Sequence, residues 1–381
     1  MQKNLTTKRS WVLIPLLIST CAFSRQEPTL QFLNFWPSAR ATGIAGSFTG
    51  IADDAYTAYY NPAALPFLKE KHIALTHSNV LPGLYAGMHY LCLGYSSPLK
   101  NKHGWGIFIP YFANGTGQAT FPDGTVYGEY SSHCFAVAGA YGYQIKKNLG
   151  LGAAIKFIYF NGYDPDLWWG WLRLYGIGIP PGPGASWGLD FGLFYKPSSR
   201  LSLGLTIQNF GPKVSPPNTH VSDPLPFTSR LGIKYEPVKT KTFSLIIAPE
   251  LTKNLIGMFY DPDDTLSFFQ ELDNEFKDLY KSFGVELTIL KLLSVRVGYY
   301  ADVTHAKGGL VINEGWGSAV GHAGILDYLF NKSKYPGYIS GIGLTFGFGL
   351  SFKGFSLDIG SDQLIYDFPT TDTKISLSYR F

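Results

Sequence analysis

The sequence predicts an all-β protein: a transmembrane antiparallel β-barrel of about fourteen strands, with an N-terminal hatch segment inside the barrel. Three observations carry this. First, Ile375, Leu377, Tyr379 and Phe381 alternate with Lys374, Ser376, Ser378 and Arg380 at the end of the chain. Side chains alternate between the faces of a strand, so one face is apolar up to an aromatic end and the other polar. A strand set between lipid and a wet lumen needs that pattern. Second, the connections between such strands alternate between short and long. Third, the N-terminus reads as an export signal, and the rest of the chain offers no helix that would span a bilayer.

The export signal is residues 1–24. Lys3, Lys8 and Arg9 precede the apolar run from Trp11 to Phe23, and the small residues Ala22 and Ser24 stand three and one positions before a cleavage at Arg25. Cys21 suggests a lipoprotein site, but Thr20 before it is a poor residue for that cleavage. Three positive residues leave with the signal, so the formal charge of +4 becomes nearly neutral in the mature chain. That removes an electrostatic case for binding nucleic acid. Of the three cysteines, Cys92 and Cys134 remain, both in apolar strands, and two cysteines make no disulfide framework. No second apolar run reaches the roughly 18 residues of a membrane helix. A closed barrel is then the remaining way to cross. The 16% aromatic content, the 43 glycines and the 15% charged residues suit one, since aromatics form interfacial girdles and glycine suits close packing.

Fourteen alternating segments follow in order, near 72–79, 85–97, 104–112, 131–144, 148–160, 187–196, 200–210, 228–236, 243–251, 281–290, 293–302, 340–351, 353–362 and 374–381. Arg296, Glu286 and Asp358 fall on the polar faces, which suits a wet lumen better than a dry sandwich core. Every second connection is short, as at Lys146-Lys147 and Lys291-Leu292. Most of the others are long: 113–130, 161–186, 211–227, 252–280, 303–339 and 363–373. Turns on one rim and loops on the other, with an even strand count, place the chain in a bacterial outer membrane with both ends in the periplasm. Residues 72–381 form the barrel. Residues 25–71 lack the alternation and form the hatch.

Two loop features stand out. From Ser267 to Tyr280, Phe268, Phe269, Leu272, Phe276 and Leu279 recur at helical spacing, which predicts an amphipathic helix. It either covers the barrel mouth or offers a partner a docking face. Trp168, Trp169, Trp171 and Trp187 cluster in and beside the loop before strand six. Trp187 reads as part of an aromatic belt, whereas the other three suit either a belt or the capture of a protein or apolar ligand. The residues 176–184, with their paired prolines, predict an irregular stretch.

The hatch carries Asp53-Asp54 and then Tyr59-Tyr60-Asn61-Pro62-Ala63-Ala64-Leu65. Asn-Pro signals a turn, and an Asn amide can pin neighbouring backbone groups. With these residues the chain resembles the FadL-type outer-membrane proteins, whose hatch carries an Asp-Asp followed by Asn-Pro-Ala. Asn61, Pro62 and Ala63 match that motif. The run Leu205-Thr206-Ile207-Gln208-Asn209-Phe210-Gly211-Pro212, then Leu225-Pro226, Arg230 to Tyr235, Phe283 to Glu286 and Leu293 to Tyr299 resemble the PorV/PorQ branch of that superfamily. The resemblance runs from about residue 37 to the end and is weakest in the loops 161–186 and 303–339. It implies a non-enzymatic component of type IX secretion. Asn209, Phe210, Gly211, Pro212, Trp168, Trp169, Trp171, Phe268, Phe269, Leu272 and Phe276 would then meet the translocon or cargo proteins bearing a C-terminal signal domain. The wider superfamily implies the alternative, a channel for hydrophobic small molecules, with Asn61 and Pro62 fixing the plug.

Enzyme readings find little support. The chain has no Gly-x-Ser-x-Gly elbow, no His-Glu-x-x-His and no Gly-rich phosphate loop after a strand. Asp261-Pro262-Asp263-Asp264 lacks the Gly and terminal Glu of a calcium loop. His220, His305 and His322 are scattered among loops. The expectation is a protein with no catalytic residues, metal or cofactor.

Overall fold

The computed structural model describes residues 28–82, 87–120, 125–162, 183–215, 222–259, 265–302, 307–313, 320–335, 337–362 and 371–381. The signal segment, Trp168, Trp169, Trp171, His220, His305 and Asp261 to Asp264 lie outside these residues. Fourteen strands build one closed antiparallel sheet. They are β1 (His72–Asn79), β2 (Met88–Pro98), β3 (His103–Thr120), β4 (Val126–Lys146), β5 (Leu149–Asn161), β6 (Pro183–Tyr195), β7 (Leu201–Phe210), β8 (Thr228–Lys239), β9 (Phe243–Asn254), β10 (Tyr280–Ile289), β11 (Leu293–Asp302), β12 (Leu344–Phe352), β13 (Phe355–Asp362) and β14 (Asp372–Arg380). Each pairs with its neighbours in sequence. The seam closes where β14 meets β1, from His72 opposite Arg380 to Asn79 opposite Thr373. Lys71 and Phe381 add two backbone hydrogen bonds of 3.0 Å at its end.

The alternation sorts the residues as the sequence implies. Leu75, Phe157, Leu231, Val297, Phe346 and Leu377 all point outward and are exposed. An exterior so apolar around a closed sheet is that of a membrane-embedded barrel. Among the described residues no helix is long and apolar enough to cross a membrane. At the short-turn end, Asn101-Lys102, Leu290-Lys291 and Lys353-Gly354 take positive φ in pairs, the backbone that a two-residue hairpin turn requires.

Two strands outrun the sequence pattern. β3 and β4 continue to Thr120 and start at Val126, well beyond the apolar stretch, with a register shift between Ala113 and Thr116. Above the bilayer a hairpin can pair polar residues such as Gln118 and Glu129, so no lipid-facing pattern marks it. The segment 340–351 is in fact two elements. Tyr338–Ile342 belongs to a small loop sheet with Leu310–Asn313 and Val320–Ala323, and β12 begins at Leu344. β6 starts at Pro183, the strand position where a missing N–H costs least. Helix α1 (Phe268–Lys277) follows β9, and α2 (Ile325–Phe330) follows the loop sheet's second strand.

Candidate functional site: the hatch and its glycine girdle

Residues 28–68 lie inside the barrel. Ala39, Ala41, Ile44, Phe48, Ala58, Tyr60, Asn61, Ala63 and Leu65 are each wholly buried. Their packing against the wall is unusually direct. A Cβ on Gly204 of β7 would stand 2.1 Å from the Thr49 carbonyl oxygen, and one on Gly360 of β13 would stand 2.2 Å from that of Ala39. On Gly142 of β4 it would lie 2.3 Å from the Pro62 oxygen, and on Gly152 of β5 2.4 Å from the Ala63 nitrogen. Gly94, Gly104, Gly232, Gly284, Gly298 and Gly347 make similar approaches, while Gly106 and Gly192 meet the hatch first at the side chains of Ala58 and Asn61. The hatch backbone thus touches the wall backbone around the circumference, with no side-chain layer between them. Elsewhere polar contacts take over. The Ser376 hydroxyl of β14 accepts the Ala39 N–H at 2.9 Å, and Glu250 of β9 accepts the Thr49 N–H at 2.8 Å.

Asn61 is the pin of this arrangement. Its side-chain oxygen accepts the Ala63 N–H at 3.1 Å, and its amide donates to the Leu193 carbonyl of β6 at 3.1 Å. The amide thereby starts the turn Pro62–Phe67 and ties it to the wall. Pro62 and Ala63 then press on the glycines of β4 and β5.

Asp53 and Asp54 face the short-turn mouth within a chain of charges. Arg40 donates to Asp53 at 2.7 Å and grips both Glu286 carboxylate oxygens at 2.8 Å. Arg296 donates to Glu286 at 2.6 Å and to Asp358 at 2.7 Å. Lys234 lies 3.6 Å from Asp53. The ladder links the hatch to β8, β10, β11 and β13. Burial pushes the Asp54 carboxyl up to about 7, with Arg40 opposing and Asp53 adding to the rise. Burial acts on Asp53 as well, but Arg40 and Lys234 outweigh it and hold that carboxyl below its ordinary value.

Toward the long loops the lumen has two sectors. From β2 to β5 the inner wall is apolar, with Tyr90, Cys92, Phe108, Phe112, Cys134, Ile158 and Phe160 all buried. The N-terminal part of the hatch lies in this sector. Phe35 packs edge-on against Tyr90 and Phe112 at 5.6 Å, and Leu30, Phe32 and Leu33 belong to the same cluster. The opposite wall carries Arg230, Glu250, Lys374 and Asp362, all buried. Between the sectors, Lys156 pairs with Asp190 at 2.7 Å and also donates to Asn209.

That pair fixes the place of Asn209. It is buried, its N–H donates to Asp190 at 2.8 Å, and its amide donates to the Pro226 oxygen at 2.9 Å and to Asn34 at 3.2 Å. Of that turn, Phe210 and Pro212 reach the surface and Gly211 is half-buried. Helix α1 forms over the predicted residues. It lies outside the wall, however, and does not cover the mouth: Lys253, on the outward parity of β9, binds Glu275 and Asp278 at its C-terminal end. Phe268, Phe269 and Phe276 are exposed, and Leu272 is half-buried. Trp187 points outward, as a belt residue should. Sequence reasoning missed Arg40, Lys156 and Asp190. A lysine and an aspartate on inward parities were a signal available for the last two.

No family model matches the chain, and no curated protein matches it. Solved structures with a similar fold include a Pseudomonas aeruginosa FadL homologue (13% identity, 94% of this chain and 98% of that one, TM-score 0.46). Others are the CymD monoaromatic hydrocarbon channel (14%, 90% and 96%, TM-score 0.47) and the Ralstonia pickettii toluene transporter TbuX (15%, 94% and 99%, TM-score 0.47). At such low similarity the architecture rests on the strand pairing of this chain itself.

Proposed function

We propose that the protein is a non-enzymatic outer-membrane channel for hydrophobic small molecules, gated by the N-terminal part of its hatch. The apolar sector of the lumen supports this reading. A barrel interior is ordinarily polar, and the charged ladder already anchors the hatch elsewhere. An aromatic wall from β2 to β5 occupied by a chain segment, Leu30 to Phe35, is a path that a solute enters by displacing that segment. The test is uptake of a labelled long-chain fatty acid and of labelled toluene by cells with and without the chain, with a sugar of similar size as control. Chain-dependent entry of an apolar solute, faster after deletion of residues 29–35 and without entry of the sugar, is the expected result. No chain-dependent entry, or entry of the sugar alone, overturns the reading.

The surface-reaching Phe210 and Pro212 support a second reading, the secretion role implied by the sequence resemblance. It predicts that deletion of the gene strands proteins bearing the C-terminal sorting domain in the periplasm. Mass spectrometry of surface and periplasmic fractions checks this.

A further inference from the structure

Helices α1 and α2 are built inside out. In α1 the half-buried residues include Glu271, Leu272 and Glu275, while Phe269 and Phe276 face away from the protein and Phe268, stacked on the exposed Phe259, is exposed as well. In α2, Leu326, Leu329 and Phe330 face away, and Phe330 is 82% exposed. A helix surrounded by water puts such residues inward. The acids are meanwhile satisfied at close range. Glu275 and Asp278 bind Lys253, Asp273 binds Lys277, and Asp327 accepts from Asn331 and Tyr335.

Position accounts for this inversion. Lys253 is on the outward parity of β9, paired with Ser229, and the next outward pair below it is Leu251 and Leu231 of the apolar belt. On β10, Lys281 donates to the Phe276 and Leu279 carbonyls, and the next outward residue below it is Phe283. The α2 N-terminus is held by the Tyr299 hydroxyl, on the outward parity of β11. Two residues of strand rise about 7 Å. Both helices therefore sit outside the barrel, one step above the rim of the lipid-facing surface and continuous with it.

We infer that α1 and α2 form an apolar shelf that lies in the lipid leaflet at the long-loop end, with Phe268, Phe269, Phe276, Leu326, Leu329 and Phe330 among the acyl chains. A helix in this plane sinks its apolar face about 5–10 Å into the headgroup boundary. Lys253 and Lys281 mark that boundary on the wall.

The test places spin labels on the full mature chain in vesicles of phosphatidylethanolamine and phosphatidylglycerol. Single variants Phe269→Cys and Phe330→Cys are compared with Leu287→Cys in the belt and Lys334→Cys in a loop. Cys92 and Cys134 are buried and stay unlabelled. Oxygen collisions exceeding nickel-chelate collisions at 269 and 330, as at 287, are the expected result. Nickel access matching that at 334 overturns the inference. Immobile labels that neither reagent reaches also overturn it and assign the shelf to a protein contact.

Discussion

Asp54 is the residue at which the hatch answers to pH. Its carboxyl is raised to about 7, and Arg40, Asp53 and Asp358 are the charges that act on it. A raised carboxyl favours the folded state in its protonated form. That contribution is complete below the ordinary aspartate value of about 4 and is lost as pH rises through 7. Asp53 is shifted the other way, so its contribution is lost only at pH values below that ordinary value. The unfolding midpoint of the purified barrel is expected to fall as pH rises from about 5 to about 8, by an amount on the order of 2 kcal/mol in stability. Asp54→Asn is expected to reduce that slope. Equal slopes in the two proteins would remove Asp54 as the source.

Strands and turns carry the contact between hatch and wall. Gly204→Val on β7 forces side-chain atoms into the Thr49 carbonyl and is expected to cost about 1–3 kcal/mol, the usual range for overpacking. Gly139→Val on β4 is the matched control, because a Cβ there meets nothing within 4 Å. Urea unfolding in detergent micelles compares the two, and equal losses would mean that the girdle does not hold the hatch. At this scale the sequence was most legible where lipid imposes its alternation, as in β7, β10, β11 and β13. It was least legible where no bilayer constrains the strand. The upper parts of β3 and β4 and the loop-sheet strand Tyr338–Ile342 went unseen for that reason. The glycines were visible as a surplus, but not as a ring, because their common level depends on the shear of the closed barrel.

For the whole molecule, the ladder from Asp53 to Asp358 decides how firmly barrel and hatch act as one body. Glu286, Arg296 and Asp358 were readable as inward charges on three strands. Their junction with the hatch was not, since Arg40 and Glu286 are 246 residues apart in sequence. Arg296→Met leaves Asp358 without that partner and Glu286 with Arg40 alone. It is expected to destabilise the protein by about 3 kcal/mol, as removal of one member of a buried ion pair does. Thermal unfolding of the detergent-solubilised protein measures this, and an unchanged midpoint would show that the ladder is not a latch.

The girdle also dictates the order of assembly. A wall that touches the hatch backbone on nearly every strand leaves no clearance for a chain to be threaded into a finished cylinder. The hatch leads directly into His72, the first residue of β1, and β14 follows the other thirteen barrel strands in the chain. The sheet must therefore close around a hatch already in place. In this protein the bottle is blown around the ship.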